Sequence, residues 1–158
     1  MNIGDKFPDL LGKDAQGKDV RLSDYPRKKF IIYFYPKDNT PGCSMEAASL
    51  AGQYQEFLKL GYQIIGVSKD SAQSHVKFAE KYCLPFPLVA DTDLELIKTA
   101  GVWQLKKMAG REYMGVVRTT FVTDADGVVT DVIEKVKTKT AAEQLFALLD
   151  GRGDVNPA

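Results

Sequence analysis

The sequence predicts an α/β domain in which helices cover both faces of a mixed β-sheet. Two short apolar runs, residues 30–35 and 62–68, each precede a stretch of helical periodicity, as in βαβ units. Such units require parallel strands in the middle of a sheet. Farther along, Val116–Thr123 and Val128–Lys135 flank an Asp-Ala-Asp-Gly turn, which predicts a β-hairpin and therefore antiparallel strands.

The composition is that of a globular chain with one core. With 158 residues, 44% of them hydrophobic and 27% charged, we expect a single domain over residues 1–158 whose last residues, 151–158, form a frayed tail. The 21 basic and 21 acidic residues cancel, which argues against nucleic acid or an anionic membrane surface as the main partner. The chain has neither an apolar signal region at its start nor an apolar run of about 18 residues. We therefore expect a cytoplasmic protein that does not span a membrane.

The first residues predict a small β-hairpin ahead of the main sheet. Turn-forming residues at 13–18 separate the short segments Asp9–Gly12 and Asp19–Leu22. The run 30–35 that follows is apolar or aromatic at every position. Such a pattern is typical of a central strand that is buried on both faces.

Helical periodicity follows each of the first two apolar strands. From Cys43 onward, apolar or small residues recur at helical spacing until Gly61, which ends the predicted helix. Asp70 and Ser71 are suited to cap a second helix, which must end before a proline at position 85. In that second helix we expect His75 to be solvated.

The C-terminal half is predicted to add a strand, two helices and a long loop. Residues 87–90 are short and apolar, which indicates a strand, and residues 91–100 contain a short helical pattern. Thr140 is expected to cap a last helix. Residues 101–115 are glycine-rich and mixed in character, so we expect a loop there.

Cys43 occupies a position that favours a reactive thiolate. It follows the strand 30–35 and belongs to the first turn of a predicted helix, where unpaired N–H groups and a partial positive charge favour an anion. Pro41 suits the first helical position because it has no N–H to lose. Thr40 is an N-cap type of residue, and its hydroxyl would lie within about one helical turn of the sulfur. Since the thiolate is the nucleophilic form of cysteine, the pattern predicts a nucleophile.

The chain contains two cysteines and one histidine, His75. Two cysteines do not make a disulfide scaffold in a chain of this size, and in a reducing compartment they are more often reactive or inert than structural. The set is also too small for a structural zinc site with four protein ligands. We expect no metal and no cofactor, because a sulfur nucleophile can do the chemistry alone.

The segment around Cys43 resembles a known protein family. Pro36, Thr40 and Cys43 form P-x-x-x-T-x-x-C, the signature of the peroxiredoxins, and the string F-Y-P-K-D-N-T-P-G-C-S-M-E is similar to the bacterioferritin comigratory protein (PrxQ) subgroup. The resemblance spans residues 3–150 and continues through Gly66–Ser71, Phe78–Tyr82, Leu84–Leu88, Gly101–Trp103 and Arg118–Phe121. It implies a thioredoxin-like fold with an N-terminal β-hairpin extension, which agrees with the order of elements above.

The resemblance implies a thiol-dependent peroxidase that acts in antioxidant defence and redox homeostasis. The Cys43 thiolate would attack one oxygen of hydrogen peroxide or an organic hydroperoxide and become a sulfenic acid. Recycling would need an external reductant, which is thioredoxin, a glutaredoxin-type protein or a small thiol. Monomers and dimers both occur in this subgroup, so we expect a monomer or a weak homodimer.

The resemblance also implies roles for four residues besides Cys43. Thr40 would supply a hydroxyl to the site, and Pro36 would wall the pocket and keep water from the sulfur. Arg118 matches the active-site arginine of the family, whose donors suit both a thiolate and peroxide oxygens. Glu46 matches a characteristic acid of the subgroup and is expected to orient Arg118 or neighbouring backbone. A second interpretation of Glu46 is an ordinary acid in the first turn of a helix.

The sequence departs from its relatives at the resolving cysteine. Many members of the subgroup place this residue five positions after the nucleophile, where this chain has Ala48. Others place it on the following helix, at a position that matches Ala79, and Cys83 lies about one turn later. Cys83 is therefore either a resolving cysteine that forms a disulfide with Cys43 after local unfolding, or a bystander in a one-cysteine enzyme.

Two other functions stay open on the sequence alone. A thiol–disulfide oxidoreductase of the same fold would use a Cys-x-x-Cys pair, which the residues around Cys43 do not offer. A thiol-based peroxide sensor, or another non-enzymatic redox-responsive binding module, would expose its oxidised cysteine to a partner. We expect such a sensor to carry an appended domain or a charged tail, and steady consumption of peroxide would distinguish an enzyme from it.

Overall fold

The fold is described from a computed structural model that covers residues 1–155, with the backbone alone given for residues 151–155. The last part of the predicted frayed tail, residues 156–158, lies outside the described residues, so the state of that tail stays a prediction. The strands are β1 (Leu10–Lys13), β2 (Asp19–Arg21), β3 (Lys29–Phe34), β4 (Tyr62–Ser68), β5 (Leu88–Ala90), β6 (Trp103–Met108), β7 (Arg111–Val116), β8 (Thr119–Thr123) and β9 (Val129–Ile133). The helices are α1 (Pro41–Gly52), α2 (Tyr54–Lys59), α3 (Ala72–Tyr82), α4 (Glu95–Thr99) and α5 (Ala141–Val155).

The central sheet has five strands in the order β5-β4-β3-β8-β9. Strands β3, β4 and β5 pair in parallel, whereas β8 is antiparallel to both β3 and β9. The predicted mixed sheet is therefore confirmed. The parallel half comes from the two βαβ units and the antiparallel half from the late hairpin, whose Asp-Gly turn closes between β8 and β9.

Strand β3 is buried on both faces and divides the core into two layers. Phe30, Ile32 and Phe34 belong to one hydrophobic cluster, and Ile31 and Tyr33 belong to the other. Helix α4 and the N-terminal segment cover the first layer, whereas α1, α2 and α5 cover the second. Because successive strand side chains point to opposite faces, an apolar run needs this double cover, and the expected helices on both faces are confirmed.

The N-terminal hairpin is present as β1 and β2, which pair antiparallel outside the main sheet. It packs close to the sheet edge at Gly12, where an added methyl group would lie 2.8 Å from Val89 Cγ1. A residue without a side chain is therefore required at this contact.

The expected loop over residues 101–115 is wrong, because most of this segment forms the antiparallel hairpin of β6 and β7. Ala109 and Gly110 join the strands with φ angles of 53° and 79°, a turn of two residues with positive φ. The hairpin forms a separate two-stranded sheet, and the large hydrophobic residues that it leaves exposed are Leu105, Met108, Tyr113 and Met114. Apolar and polar residues do not alternate cleanly along either strand. The two-residue period that predicts a strand is therefore absent from this part of the sequence.

The predicted helices are present with two corrections. The helix expected from Cys43 to Gly61 is divided at Gln53, directly after a glycine, into α1 and α2. Ser71 caps α3 as expected by accepting a hydrogen bond from the backbone N–H of Ser74. His75 of α3 is not solvated but completely buried, because residues far away in the sequence supply its partners. In the part of the chain described here, no helix is long and apolar enough to cross a membrane.

Candidate active site

Cys43 lies where the chain leaves β3 and enters α1. Thr40 is the N-cap of α1 with extended backbone angles, and Pro41 is the first helical residue, as the sequence predicts. The thiol of Cys43 follows in the first turn and is only 1% exposed. The sulfur is therefore shielded from bulk water and close to the N-terminus of a helix of 12 residues.

The hydroxyl of Thr40 does not cap the helix through a hydrogen bond. Its Oγ1 donates instead to the backbone carbonyl of Lys37 at 3.0 Å, within the turn that precedes α1. The single hydroxyl proton is thereby occupied, and the lone pairs of the oxygen remain available to accept a hydrogen bond. Thr40 thus offers the site an acceptor.

Arg118 reaches Cys43 from the neighbouring strand. Strand β8 is antiparallel to β3, and the pairing of Phe34 with Thr119 places Arg118 at the end of β3 from which Cys43 follows. Its Nη2 donates to Cys43 Sγ at 3.2 Å, and its Nη1 donates to Glu46 Oε1 at 2.6 Å. Arg118 directly precedes β8, which begins at Thr119 and not at Val116 as the sequence predicts.

Gly42 leaves room for this guanidinium, a point that the sequence reading missed. A methyl group at position 42 would lie 3.3 Å from Arg118 Nη2, tighter than an ordinary van der Waals contact. The absent side chain allows the Arg118 fork to lie over the first turn of α1. A glycine one residue before a nucleophile at a helix N-terminus is a signal that could have drawn attention to this contact.

Glu46 is buried beside the guanidinium with only one of its oxygens paired. Burial raises the pKa of Glu46 to about 7, although the nearby Arg118 acts to lower it. The second oxygen, Oε2, has no hydrogen-bond partner in the structure. The pKa of Arg118 is raised, because the attraction of Glu46 and Cys43 outweighs the opposing effect of burial. One cation therefore bridges two groups that can both carry negative charge.

Two further residues have pKa values that this charge cluster shifts. Lys106 of β6 donates from Nζ to the carbonyl of Val116 at 3.1 Å, and its pKa is lowered by burial and by Arg118, although Cys43 acts to raise it. Tyr33 of β3 is completely buried, and its hydroxyl has no hydrogen-bond partner. Burial, followed by the charges of Glu46 and Cys43, raises the pKa of Tyr33 well above its usual value. The sequence predicts Tyr33 as a core residue, which is confirmed, and residues 101–115 as a loop, so it identifies neither Tyr33 nor Lys106 as a neighbour of the site.

The remaining predicted site residues are Pro36 and Cys83. Pro36 is half-buried in the turn between β3 and α1. Cys83 is the exposed C-cap of α3, with a left-handed backbone (φ 52°, ψ 47°). Both thiols are free, and Cys43 is buried whereas Cys83 is not. No disulfide joins them in the part of the chain that the structure describes.

Among the residues that the structure describes, no group of three or more histidine, cysteine, aspartate or glutamate residues could hold a metal ion. The arrangement around Cys43 consists instead of a thiol, a guanidinium, a buried carboxyl group and a hydroxyl acceptor. Such a set can hold a thiolate in a dry pocket and present hydrogen-bond donors to an oxygen anion.

Comparison with known proteins places this chain in a family. The AhpC/TSA family model matches residues 3–132. Peroxiredoxin Bcp of Bacillus subtilis (strain 168) is 46% identical over 151 residues, which cover 95% of this chain and 96% of that protein. Peroxiredoxin Bcp of Escherichia coli (strain K12) is 36% identical over 138 residues, which cover 87% and 88% of the two chains.

Solved structures give the same result. A cysteine-to-serine mutant of Xylella fastidiosa PrxQ is similar with a TM-score of 0.87 and 34% identity, over 97% of this chain and 98% of that one. The Xanthomonas campestris bacterioferritin comigratory protein, studied for alkyl peroxide reduction, has a TM-score of 0.81 and 36% identity, over 89% of each chain. This chain therefore belongs to the AhpC/TSA family and, within it, to the Bcp/PrxQ peroxiredoxins, with their thioredoxin-like fold.

Proposed function

We propose that this chain is a thiol-dependent peroxidase that reduces hydrogen peroxide and organic hydroperoxides through a sulfenic acid on Cys43. The observation that carries the proposal is the contact between Arg118 Nη2 and Cys43 Sγ at 3.2 Å inside a buried pocket. A guanidinium at this distance favours the thiolate, and a pocket that excludes water strengthens the attraction. A cysteine that is only structural has no use for such a partner.

The reaction is a displacement at oxygen. The Cys43 thiolate attacks the terminal oxygen of the hydroperoxide, an S–O bond forms and the O–O bond breaks. The two electrons of the broken bond leave with the second oxygen as hydroxide or alkoxide, which takes up a proton to give water or an alcohol. The sulfur is oxidised to a sulfenic acid while the peroxide is reduced.

The neighbouring residues have distinct roles in this proposal. Arg118 stabilises the negative charge as it moves from the sulfur to the leaving oxygen, since its Nη2 already donates to the sulfur from which that charge departs. Thr40 accepts a hydrogen bond from the hydroperoxide O–H, because its own proton is bonded to the Lys37 carbonyl. Glu46 orients the guanidinium through the bond at 2.6 Å. Pro36 forms part of the pocket wall.

The proposed substrates follow from a relative of this chain, and the proposed reductant depends on the role of Cys83. Because the Xanthomonas campestris relative is described by its alkyl peroxide reduction, we include organic hydroperoxides as substrates of this chain. Thioredoxin is the proposed reductant if Cys83 forms a disulfide with Cys43. A glutaredoxin-type protein or a small thiol replaces it if Cys83 is a bystander. We place the activity in antioxidant defence in the cytoplasm.

The test is the intact mass of the reduced protein after one equivalent of hydrogen peroxide, measured for the natural chain, Cys83→Ser and Cys43→Ser. We expect oxidation in the first two proteins and none at low peroxide in Cys43→Ser. A loss of two hydrogens that disappears in Cys83→Ser identifies Cys83 as the resolving cysteine, whereas added oxygen on Cys43 in both proteins identifies a one-cysteine enzyme. An unmodified Cys43 in both would refute the proposed peroxidase.

The reductant is identified by steady turnover. Peroxide consumption is followed with thioredoxin and its reductase, with glutaredoxin and glutathione, and with a small dithiol, each at equal thiol concentration. Turnover with thioredoxin that is lost in Cys83→Ser supports the disulfide route. A single oxidation without turnover in any of the three systems would contradict an enzyme.

A further inference from the structure

The turn between β3 and Cys43 is held by a buried carboxylate that the site described above does not use. Asp38 is 6% exposed, and its Oδ1 accepts a hydrogen bond from the Tyr35 hydroxyl at 2.6 Å. Its Oδ2 accepts from the Ser74 hydroxyl at 2.8 Å and lies 2.6 Å from Nδ1 of His75. Both carboxylate oxygens are therefore bonded away from water.

His75 faces an acceptor at each of its ring nitrogens. Nδ1 lies against Asp38 Oδ2 at 2.6 Å, and Nε2 lies 3.0 Å from the backbone carbonyl of Val89. A carbonyl oxygen can only accept, so Nε2 donates. The contact with Asp38 then needs one proton between Nδ1 and Oδ2, which the two groups share. This pair is buried, and it joins the turn before Cys43 to helix α3 and, through the Val89 carbonyl, to strand β5.

Two further contacts join the same turn to α3 or to the residues just ahead of it. The backbone N–H of Asp38 donates to Asp70 Oδ2 at 2.8 Å, just ahead of α3. On the outside, Lys81 Nζ donates to Oδ1 of Asn39 at 3.0 Å, an exposed contact. Asn39 has a positive φ of 59°, a conformation that asparagine tolerates better than most residues. The turn that leads into Cys43 is thus bonded to α3, the helix whose C-cap is Cys83.

We infer that Asp38 and His75 form a positioning pair that holds Cys43 in its buried, peroxide-reactive place and must separate before that cysteine becomes accessible. This inference rests on the proposed function, since the position it concerns is that of the attacking sulfur. Attack requires Cys43 and Arg118 at hydrogen-bond distance, and small displacements of a reacting group are costly. Reduction or disulfide formation requires the opposite, a sulfur that another thiol can reach.

The pair therefore acts on two steps in opposite directions. Breaking it leaves a buried polar group without its hydrogen-bond partner and loosens the Pro36–Thr40 turn, so attack on peroxide slows. The same loosening exposes the Cys43 sulfur more often, so its reaction with a bulky thiol reagent speeds up. A residue that contributes only to global stability would leave sulfenic acid formation in the folded protein unchanged, although a less stable fold opens more often and so speeds trapping.

The experiment uses the full chain with Cys83→Ser, so that Cys43 is the one thiol that reacts. The variants are His75→Leu, Asp38→Asn and the double variant, with Lys81→Ala as the matched control on the exposed link. Two rates are measured on the folded proteins: sulfenic acid formation with hydrogen peroxide, and trapping of Cys43 by a bulky thiol reagent. Circular dichroism and thermal unfolding report whether each variant is folded.

We expect His75→Leu and Asp38→Asn each to slow sulfenic acid formation by about tenfold or more and to speed trapping by a similar factor. Because the two residues act as one unit, the double variant should lose no more than the worse single variant. Lys81→Ala should stay within about twofold of the parent on both rates, since an exposed pair contributes little. If His75→Leu does not fold, His75→Gln, which keeps one donor, is measured in the same way. It should form sulfenic acid more slowly than the parent and be trapped faster.

Distinct results separate the possible failures. Single variants that match the parent on both rates, or a double variant whose loss is the product of the two single losses, would overturn the positioning pair. A slower reaction with peroxide without faster trapping would also overturn it, because it would show an effect on the pocket and not on the release of Cys43. A parent protein that hydrogen peroxide does not oxidise at Cys43 would refute the proposed function instead.

Discussion

The guanidinium of Arg118 donates to the sulfur of Cys43 at 3.2 Å, although 75 residues separate the two in the chain. The same side chain bonds Glu46 at 2.6 Å, so a single cation serves a thiol and a buried carboxyl group. Because the Cys43 thiol and the Glu46 carboxyl group share one guanidinium, the net charge of the site depends on the protonation of both groups.

Replacing Arg118 with lysine should remove the bridge while keeping the charge. An ammonium cannot bond the Cys43 sulfur and the Glu46 carboxyl group with the same fork geometry. We expect the rate of Cys43 oxidation by hydrogen peroxide to fall by about 10²–10³, as when a donor is removed from an oxyanion site. The control is Arg111→Lys on the exposed β7 strand, which should leave the rate unchanged. An Arg118→Lys rate equal to that of the control would contradict the role of the fork.

Glu46 should make the stability of the fold depend on pH. Burial raises its pKa from 4.5 to about 7 in the folded protein, so the folded state holds this proton more tightly than the unfolded chain does. The contribution to stability is complete below about pH 4.5 and is lost as the pH rises through about 7, on the order of 3 kcal/mol in total. Urea unfolding at several pH values should show this decline in the natural chain and a flatter profile in Glu46→Gln. Parallel profiles would show that Glu46 does not titrate in this range.

Tyr33 and Tyr35 form a matched pair for testing buried hydroxyl groups. The Tyr33 hydroxyl has no partner, whereas that of Tyr35 donates to the Asp38 carboxylate at 2.6 Å. Tyr33→Phe should change the free energy of unfolding by less than about 0.5 kcal/mol or increase it, while Tyr35→Phe should lower it by about 1.5–3 kcal/mol. Chemical denaturation of both variants gives the comparison. A large loss in Tyr33→Phe would reveal a bonded hydroxyl.

Gly42→Ala should separate activity from stability. The added methyl group would lie 3.3 Å from Arg118 Nη2, so the guanidinium must shift by a few tenths of an ångström. We expect oxidation of Cys43 to slow by about threefold to tenfold. The free energy of unfolding should stay the same or increase, because alanine is more favourable than glycine in a helix by up to about 1 kcal/mol. Gly52→Ala is the control, since nothing lies within 4 Å of the added group. If both variants oxidise at the parental rate, the tight contact has no catalytic consequence.

Local patterns in the sequence predicted much of the backbone. The apolar run of β3, the Ser71 cap of α3 and the Asp-Gly turn between β8 and β9 each depend on a few adjacent residues, and each is present. Patterns of this kind work because the backbone conformation of a short segment is decided largely by its own side chains. They failed for the β6–β7 hairpin, whose exposed faces produce no periodicity, and for His75, whose partners come from other segments.

The sequence by itself determined that Cys43 begins a helix at the end of a buried strand, since Thr40, Pro41 and the apolar spacing are local signals. Only the tertiary structure decided what surrounds the sulfur. The contact with Arg118 depends on the register of β3 against β8, and the burial of Glu46, Asp38 and His75 depends on how helices pack onto the sheet. Electrostatic interactions act through space rather than along the chain, so the charge cluster of this site exists only when the fold is complete.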